Sequence, residues 1–143
     1  MLKKTIIFVV LLLFVIQFIS LDKTNPKVDE NVTLDAPKNV MSILKISCYD
    51  CHSYETKWPY YSNIAPISFF VVSHVNDGRD ALNFSKWQEI DPDIKQKRLK
   101  RAIKTVNNEM MALPSYVSAH EDAQLSKDKK KILTGWFESE LNK

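Results

Sequence analysis

Two cysteines and a histidine within five residues, Cys48-Tyr49-Asp50-Cys51-His52, constrain this chain more than any other feature. The chain has no other cysteine. C-x-x-C-H is the pattern by which haem is attached covalently, with two thioether bonds from the thiols and an iron bond from the histidine. Because this spacing covers about one helical turn, both sulfurs can reach one edge of a porphyrin while His52 points beneath it. We therefore predict one covalent haem c, with its iron, per chain.

The same pair of cysteines has other interpretations, namely a redox dithiol, half of a zinc site or a structural disulfide. Zinc would need further ligands, and only His74, His120 or carboxylates remain, none at a familiar zinc spacing. A thioredoxin-like dithiol should follow a strand, whereas residues 38–47 have the pattern of an amphipathic helix. Haem is favoured, and a haem-free interaction domain with a Cys48–Cys51 disulfide or dithiol is the remaining alternative.

The N-terminus carries an apolar run over residues 5–21, preceded by Lys3 and Lys4. We interpret residues 1–21 as a signal anchor or transmembrane segment, close to the ~20 residues that span a bilayer. Cleavage is disfavoured, because a cut after Ser20 would place bulky Phe18 where a small residue is needed. The lysines favour a cytoplasmic N-terminus. The prediction is a single-pass protein of the bacterial inner membrane with its haem domain facing the periplasm.

Length and charge limit the remaining possibilities. Of the 143 residues, those after the anchor suffice for one small domain. The formal net charge is +3, but two of the lysines belong to the N-terminal segment, so the rest is close to neutral. That balance argues against a nucleic-acid partner.

Hydrophobic spacing predicts helices throughout the rest of the chain. Residues 22–37 are polar and contain Pro26 and Pro37, which indicates a tether, and residues 38–143 form the haem domain. No segment alternates with the period of a strand, so the fold class is all-α. Helices are expected over residues 38–47, about 67–75, from Asp91-Pro92 to about 107, and from Ser126 onward, with a turn at Asn76-Asp77-Gly78. The last helix should bury Ile132, Leu133, Trp136, Phe137 and Leu141.

Several blocks of the chain resemble the bacterial haem-binding domain family, whose members are similar to small cytochromes c. The likeness covers about residues 40–140 and rests on Cys48 to Ser53, Thr56 to Pro66, Val75 to Arg79, Leu82 to Ser85 and Leu113 to Tyr116. It implies a small cytochrome c-like helical domain that carries haem. One departure is that the family usually has methionine followed by proline where this chain has Met111-Ala112.

The likeness to small cytochromes c also suggests the second axial ligand of the iron. Met111 precedes the Leu-Pro-Ser-Tyr block and the last helix, where those proteins carry a methionine ligand. Met110 is an adjacent substitute, His74 is a rival, and an open site is the remaining possibility. The cofactor-binding residues predicted are therefore Cys48, Cys51, His52 and Met111, the last two as metal ligands.

The surroundings of the haem are expected from the same likeness. The Pro66 carbonyl is a candidate to accept the remaining ring N–H of the proximal histidine. Two interpretations are open for Trp58, Tyr60 and Tyr61: they pack on the haem edge or bond a propionate, or they are plain aromatic residues of the core. His120, in a polar loop, is expected to be exposed to solvent.

Together these features predict a membrane-anchored mono-haem c-type cytochrome that passes single electrons between redox partner proteins and is not an enzyme. The alternative is a haem-based sensor or peroxidase-like module, which needs an exchangeable position on the distal side of the iron.

Overall fold

Seven α-helices and four short 3₁₀-helices form the structure, a computed structural model that describes residues 1–143, and there is no strand. The all-α prediction is confirmed. The helices are α1 (Leu2–Val15), α2 (Lys38–Ser47), α3 (Tyr49–His52), α4 (Ile67–Ala81), α5 (Pro92–Asn107), α6 (Pro114–Val117) and α7 (Lys127–Leu141). The 3₁₀-helices are Ile16–Phe18, Tyr60–Asn63, Phe84–Glu89 and Glu121–Ala123.

Local capping sets the helix boundaries that the sequence predicts. The Asp91 carboxylate accepts hydrogen bonds from the backbone N–H groups of Asp93 and Ile94, and Pro92 occupies the first position of α5. The Ser126 hydroxyl likewise accepts from the Lys129 backbone N–H at the start of α7. The predicted boundaries of α2 and the starts of α5 and α7 are confirmed.

The core lies between α5 and α7, with α2 packed across α7. Leu44, Leu99 and Leu133, one from each of these helices, are almost fully buried. Ile132 was predicted to be buried but is exposed. The buried face of α7 consists of Leu133, Thr134, Trp136 and Phe137, and Ile132 lies at the edge of that face, about 100° around the helix from Leu133.

The predicted membrane-spanning segment is not found. The helix α1 has 14 residues and ends at Val15, where it passes into a 3₁₀ turn. No helix of the structure combines the length and the apolar character needed to cross a bilayer.

Residues 22–37 run along the surface of residues 38–143 without regular structure. The Leu34 backbone N–H donates to the Phe84 carbonyl at 2.8 Å, and the Gln88 N–H donates to the Val32 carbonyl at 2.9 Å. The Leu34 side chain is buried in the same core as α2 and α7.

The helix α4 is longer than the sequence predicts. It was expected to end at Val75, with a turn at residues 76–78, but it continues to Ala81. The turn prediction is wrong because the buried positions Val72, Val75 and Gly78 continue the spacing of one helix face. This longer helix packs against α3, which carries the haem motif.

Candidate functional site

A single cavity of about 190 Å³ is lined by Cys48, Cys51, His52 and Met111, the residues that the sequence predicts as haem-binding. His74 also reaches it. A second cavity of about 590 Å³ adjoins the first, since both have walls formed by Asp50, Cys51, His74, Leu113 and Tyr116. The larger cavity falls in the range of ~300–1,000 Å³ typical of cofactor and ligand sites.

Cys48, the N-cap residue, and the following helix α3 present the three motif residues within one helical turn. The His52 backbone N–H donates to the Cys48 carbonyl at 2.9 Å, as the C-x-x-C-H spacing predicts. The buried Tyr49 ring stacks on Phe84 with 5.4 Å between ring centroids. Because Tyr49 is held in the core, the cysteine side chains are directed to the cavity on the other side of the turn.

The His52 ring is held in one orientation by a backbone carbonyl. Its Nδ1 lies 2.9 Å from the Leu82 carbonyl oxygen. Burial lowers the pKa of His52, which favours the neutral ring, although the Leu82 and Gly78 carbonyls oppose that shift. A neutral ring that donates from Nδ1 leaves the Nε2 lone pair free for a metal. The Pro66 prediction is wrong, because the Pro66 carbonyl accepts from the Phe69 backbone N–H in the first turn of α4.

Both cysteine side chains are free thiols. Burial raises the pKa of Cys48 to about 12 and that of Cys51 to about 11. Dithiol redox sites usually have the opposite property, since a lowered pKa supplies the thiolate that attacks a disulfide.

Gly78 allows α4 to approach the haem motif closely. A Cβ atom at this position would lie 2.4 Å from the Cys51 carbonyl oxygen and 3.0 Å from the Cys51 Cβ atom. Any larger residue would therefore separate α4 from α3. Sequence reasoning missed this role, although the 72, 75, 78 spacing of buried residues was the signal that could have revealed it.

Two of the candidate sixth ligands line the same cavity as the haem motif. Met111 is half-buried, packs against the core and lines the smaller cavity. His74 is on the exposed face of α4 and lines both cavities. Met110 is exposed and lines neither.

A network of polar side chains borders the larger cavity. The Tyr116 hydroxyl donates to Asp50 Oδ2 at 2.7 Å, and the Tyr116 ring stacks on His120 at 4.4 Å. His120 Nε2 lies 2.8 Å from the Tyr61 hydroxyl. The prediction that His120 is solvent-exposed is wrong, since it is half-buried between two tyrosines. Burial, and then the Asp50 carboxylate, raise the pKa of Tyr116.

Comparison with known protein families identifies the cofactor. The family model described as a haem-binding domain matches residues 11–139. This chain belongs to the haem-binding domain family. The family resemblance seen in the motif blocks is therefore confirmed, and haem is the ligand of this domain. No curated protein and no solved structure matches the chain.

Two buried polar groups of this haem-binding domain lack a partner within the protein, which is consistent with a bound haem. The Ser47 hydroxyl and the Trp58 indole N–H are buried and have no hydrogen-bond partner. Ser47 lines the smaller cavity, and Trp58 lies between Lys57 and Pro59, which both line the larger one. Buried donors are normally paired, and a haem propionate is an acceptor that an indole N–H can bond.

Proposed function

We propose that this haem-binding domain is a mono-haem c-type cytochrome that transfers single electrons. The observation that carries the proposal is the cavity in which Cys48, Cys51 and His52 meet, with the Nε2 lone pair of His52 left free by the bond to Leu82. Haem supplies a ferric–ferrous couple that gains or loses one electron.

Covalent attachment is the first part of the proposal. Cys48 and Cys51 would each form a thioether with the haem, and His52 would bind the iron. The support is that both side chains are free thiols on one helical turn that borders the cavity. Their raised pKa values argue against the dithiol alternative.

Met111 is the proposed sixth ligand. It lines the cavity together with His52, and its position just after α5 is that expected from the likeness to small cytochromes c. A thioether ligand raises the reduction potential relative to a second imidazole, so Met111 would set which redox proteins can act as partners. No substrate site is required for this function, and we propose no enzymatic activity.

The proposed location is the periplasmic face of the bacterial inner membrane. The support is the apolar segment over residues 5–21 that follows Lys3 and Lys4, together with a motif whose thioethers are formed on that side of the membrane. The exposed apolar side chains of α1 would lie in lipid.

The decisive experiment is an optical spectrum of the full chain, produced in a host with cytochrome c maturation machinery. We expect sharp α and β bands after reduction with dithionite, and a coloured polypeptide after extraction with acid acetone. A variant with Cys48→Ala and Cys51→Ala should lose its haem in the extraction. If the haem of the unmodified chain is extracted as readily as that of the variant, covalent attachment is wrong.

A second candidate function is a haem-based sensor or peroxidase-like module. The larger cavity, which adjoins the smaller one, favours it because it provides space for an exogenous ligand. Carbon monoxide distinguishes the two functions. Rapid binding by the ferrous protein would indicate an exchangeable distal position, whereas an unchanged spectrum would support six-coordinate iron and electron transfer.

A further inference from the structure

Four exposed apolar side chains form one surface, here called the apolar corner, where the 3₁₀-helix Tyr60–Asn63 leads into α4. The exposed fractions are 81% for Tyr60, 47% for Ile64, 48% for Ile67 and 66% for Phe70. Tyr60, Ile67 and Phe70 also line the larger cavity. A cluster of large exposed apolar side chains usually marks a site of contact with another apolar surface.

The end of the apolar N-terminal segment is attached to this same corner. The Gln17 side-chain amide donates to the Ala65 carbonyl at 3.0 Å and accepts from the Ala65 backbone N–H at 3.0 Å. The Lys23 ammonium donates to the Ser62 carbonyl at 3.3 Å. Residues 17–21 therefore lie directly beside the apolar corner, across a small cavity that they share with Ser62, Asn63 and Ala65.

A second set of bonds fixes the following residues of the chain. The Arg79 guanidinium donates to the Thr24 carbonyl at 3.2 Å and to Asn25 Oδ1 at 2.7 Å. The same group donates to the Ser53 carbonyl at 2.9 Å and to the Thr56 hydroxyl at 3.0 Å. The N-terminal segment is thus bonded beside the corner through Gln17, and the residues that follow it are bonded through Arg79 to the loop after the haem motif.

The helix α1 has no buried residue, and its large apolar side chains are exposed around its whole circumference. We infer that the apolar corner rests on the lipid surface that surrounds α1, so that the mouth of the larger cavity opens toward the bilayer. Because the corner lies beside the segment that begins with α1, we take lipid to be the apolar surface that the corner contacts. Tyr60 combines an apolar ring with a polar hydroxyl, which suits the membrane–water interface. This inference rests on the proposed membrane location.

Contact with lipid gives the haem domain a defined orientation. The cavity mouth would be near redox carriers that reside in the membrane. Ile94 of α5 and Ile132 of α7 are also exposed but lie outside the corner, and in this orientation they would face the aqueous phase.

Hydroxyl-radical footprinting of the haem-loaded full chain tests the orientation. The radicals are generated by X-rays, with and without vesicles of phosphatidylethanolamine and phosphatidylglycerol, and side-chain oxidation is read by mass spectrometry. We expect the vesicles to protect Tyr60 and Phe70 together with Phe8 and Phe14 of α1. Ile94 and Ile132 are internal controls whose oxidation should not change.

Three other footprinting results would each contradict the proposed orientation. Protection of Phe8 and Phe14 without protection of Tyr60 and Phe70 would leave the membrane location intact and remove the corner from the lipid. If none of these four residues were protected, the membrane location would be contradicted as well. The optical spectrum would still test haem attachment independently. Protection of Tyr60 without vesicles, increasing with protein concentration, would indicate a second copy of the chain instead.

A substitution provides an independent measurement. Ile64 belongs to the corner but lines neither haem cavity. Ile64→Ser should weaken vesicle binding about fivefold, equivalent to about 1 kcal/mol for the lost contact of an isoleucine with lipid. The matched Ile132→Ser should bind vesicles as tightly as the unmodified chain. Equal binding by both variants would overturn the inference.

Discussion

The Leu82 carbonyl oxygen accepts a hydrogen bond from His52 Nδ1 at 2.9 Å, although the two residues are 30 positions apart. Leu82 is the C-cap residue that directly follows α4. The length of α4 therefore determines where the carbonyl lies, and the carbonyl determines which ring nitrogen of His52 is free. The longer α4 is thus part of the haem site.

Gly78→Ala should destabilise the domain. The new methyl group would overlap the Cys51 carbonyl oxygen, and overpacking of this kind costs about 1–3 kcal/mol. We expect a lower thermal midpoint by circular dichroism and a lower ratio of haem to protein after maturation.

Gly135→Ala is the matched control, since a Cβ atom at Gly135 has no neighbour within 4 Å. Gly135 lies inside α7, so alanine should stabilise that helix by up to about 1 kcal/mol. If both alanine variants melt at or above the temperature of the unmodified protein, the packing argument for Gly78 is wrong.

Met111→Ala should change the iron from six-coordinate to five-coordinate or water-bound. The expected signs are loss of the weak far-red band of the ferric protein and new binding of carbon monoxide by the ferrous protein. Met110→Ala and His74→Ala should leave both properties unchanged. If only His74→Ala changed the far-red band and carbon monoxide binding, His74 and not Met111 would be the sixth ligand; His74 also lines the cavity.

Tyr116→Phe should lower the free energy of unfolding by about 1.5 kcal/mol, the lower end for a hydrogen bond to a charged group, because Tyr116 is only half-buried. The substitution deletes the hydroxyl that donates to the Asp50 carboxylate. Urea unfolding measures the change. Tyr60→Phe is the control, and its effect should be near zero because Tyr60 is exposed at the surface.

The same tyrosine predicts how stability depends on alkaline pH. Burial and Asp50 raise the pKa of Tyr116 above the unfolded value of about 10. The unfolded chain therefore loses this proton first, and stability falls as the pH rises above about 10. Tyr116→Phe removes this contribution, so its unfolding free energy should fall less steeply in that range. Parallel curves for the two proteins would show that Tyr116 does not contribute.

Some of these features were predictable because they are local in sequence. The Asp91-Pro92 and Ser126 starts of α5 and α7 depend on groups within three residues of each other. The C-x-x-C-H turn is equally local, since His52 bonds back to Cys48. Spacing and capping rules describe such short-range relations directly.

Other features depend on residues that are distant in the chain. Tyr61 and His120 are 59 positions apart, and Asp50 and Tyr116 are 66 apart. Nothing in the local pattern of either residue indicates its partner. The polar loop around His120 suggested exposure, whereas packing of α6 and the following turn brings its ring against Tyr116.

The sequence by itself determined the haem motif, the all-α class and the main helix boundaries, because the C-x-x-C-H pattern and helix capping each involve only a few neighbouring residues. Tertiary structure alone decided the proximal hydrogen-bond acceptor, because a backbone carbonyl has no signature in the sequence. It also decided the role of Gly78, which depends on how closely two helices approach. The attachment of Gln17 to Ala65 is likewise a matter of chain packing, since a surface amide can bond any exposed backbone that the fold brings near it.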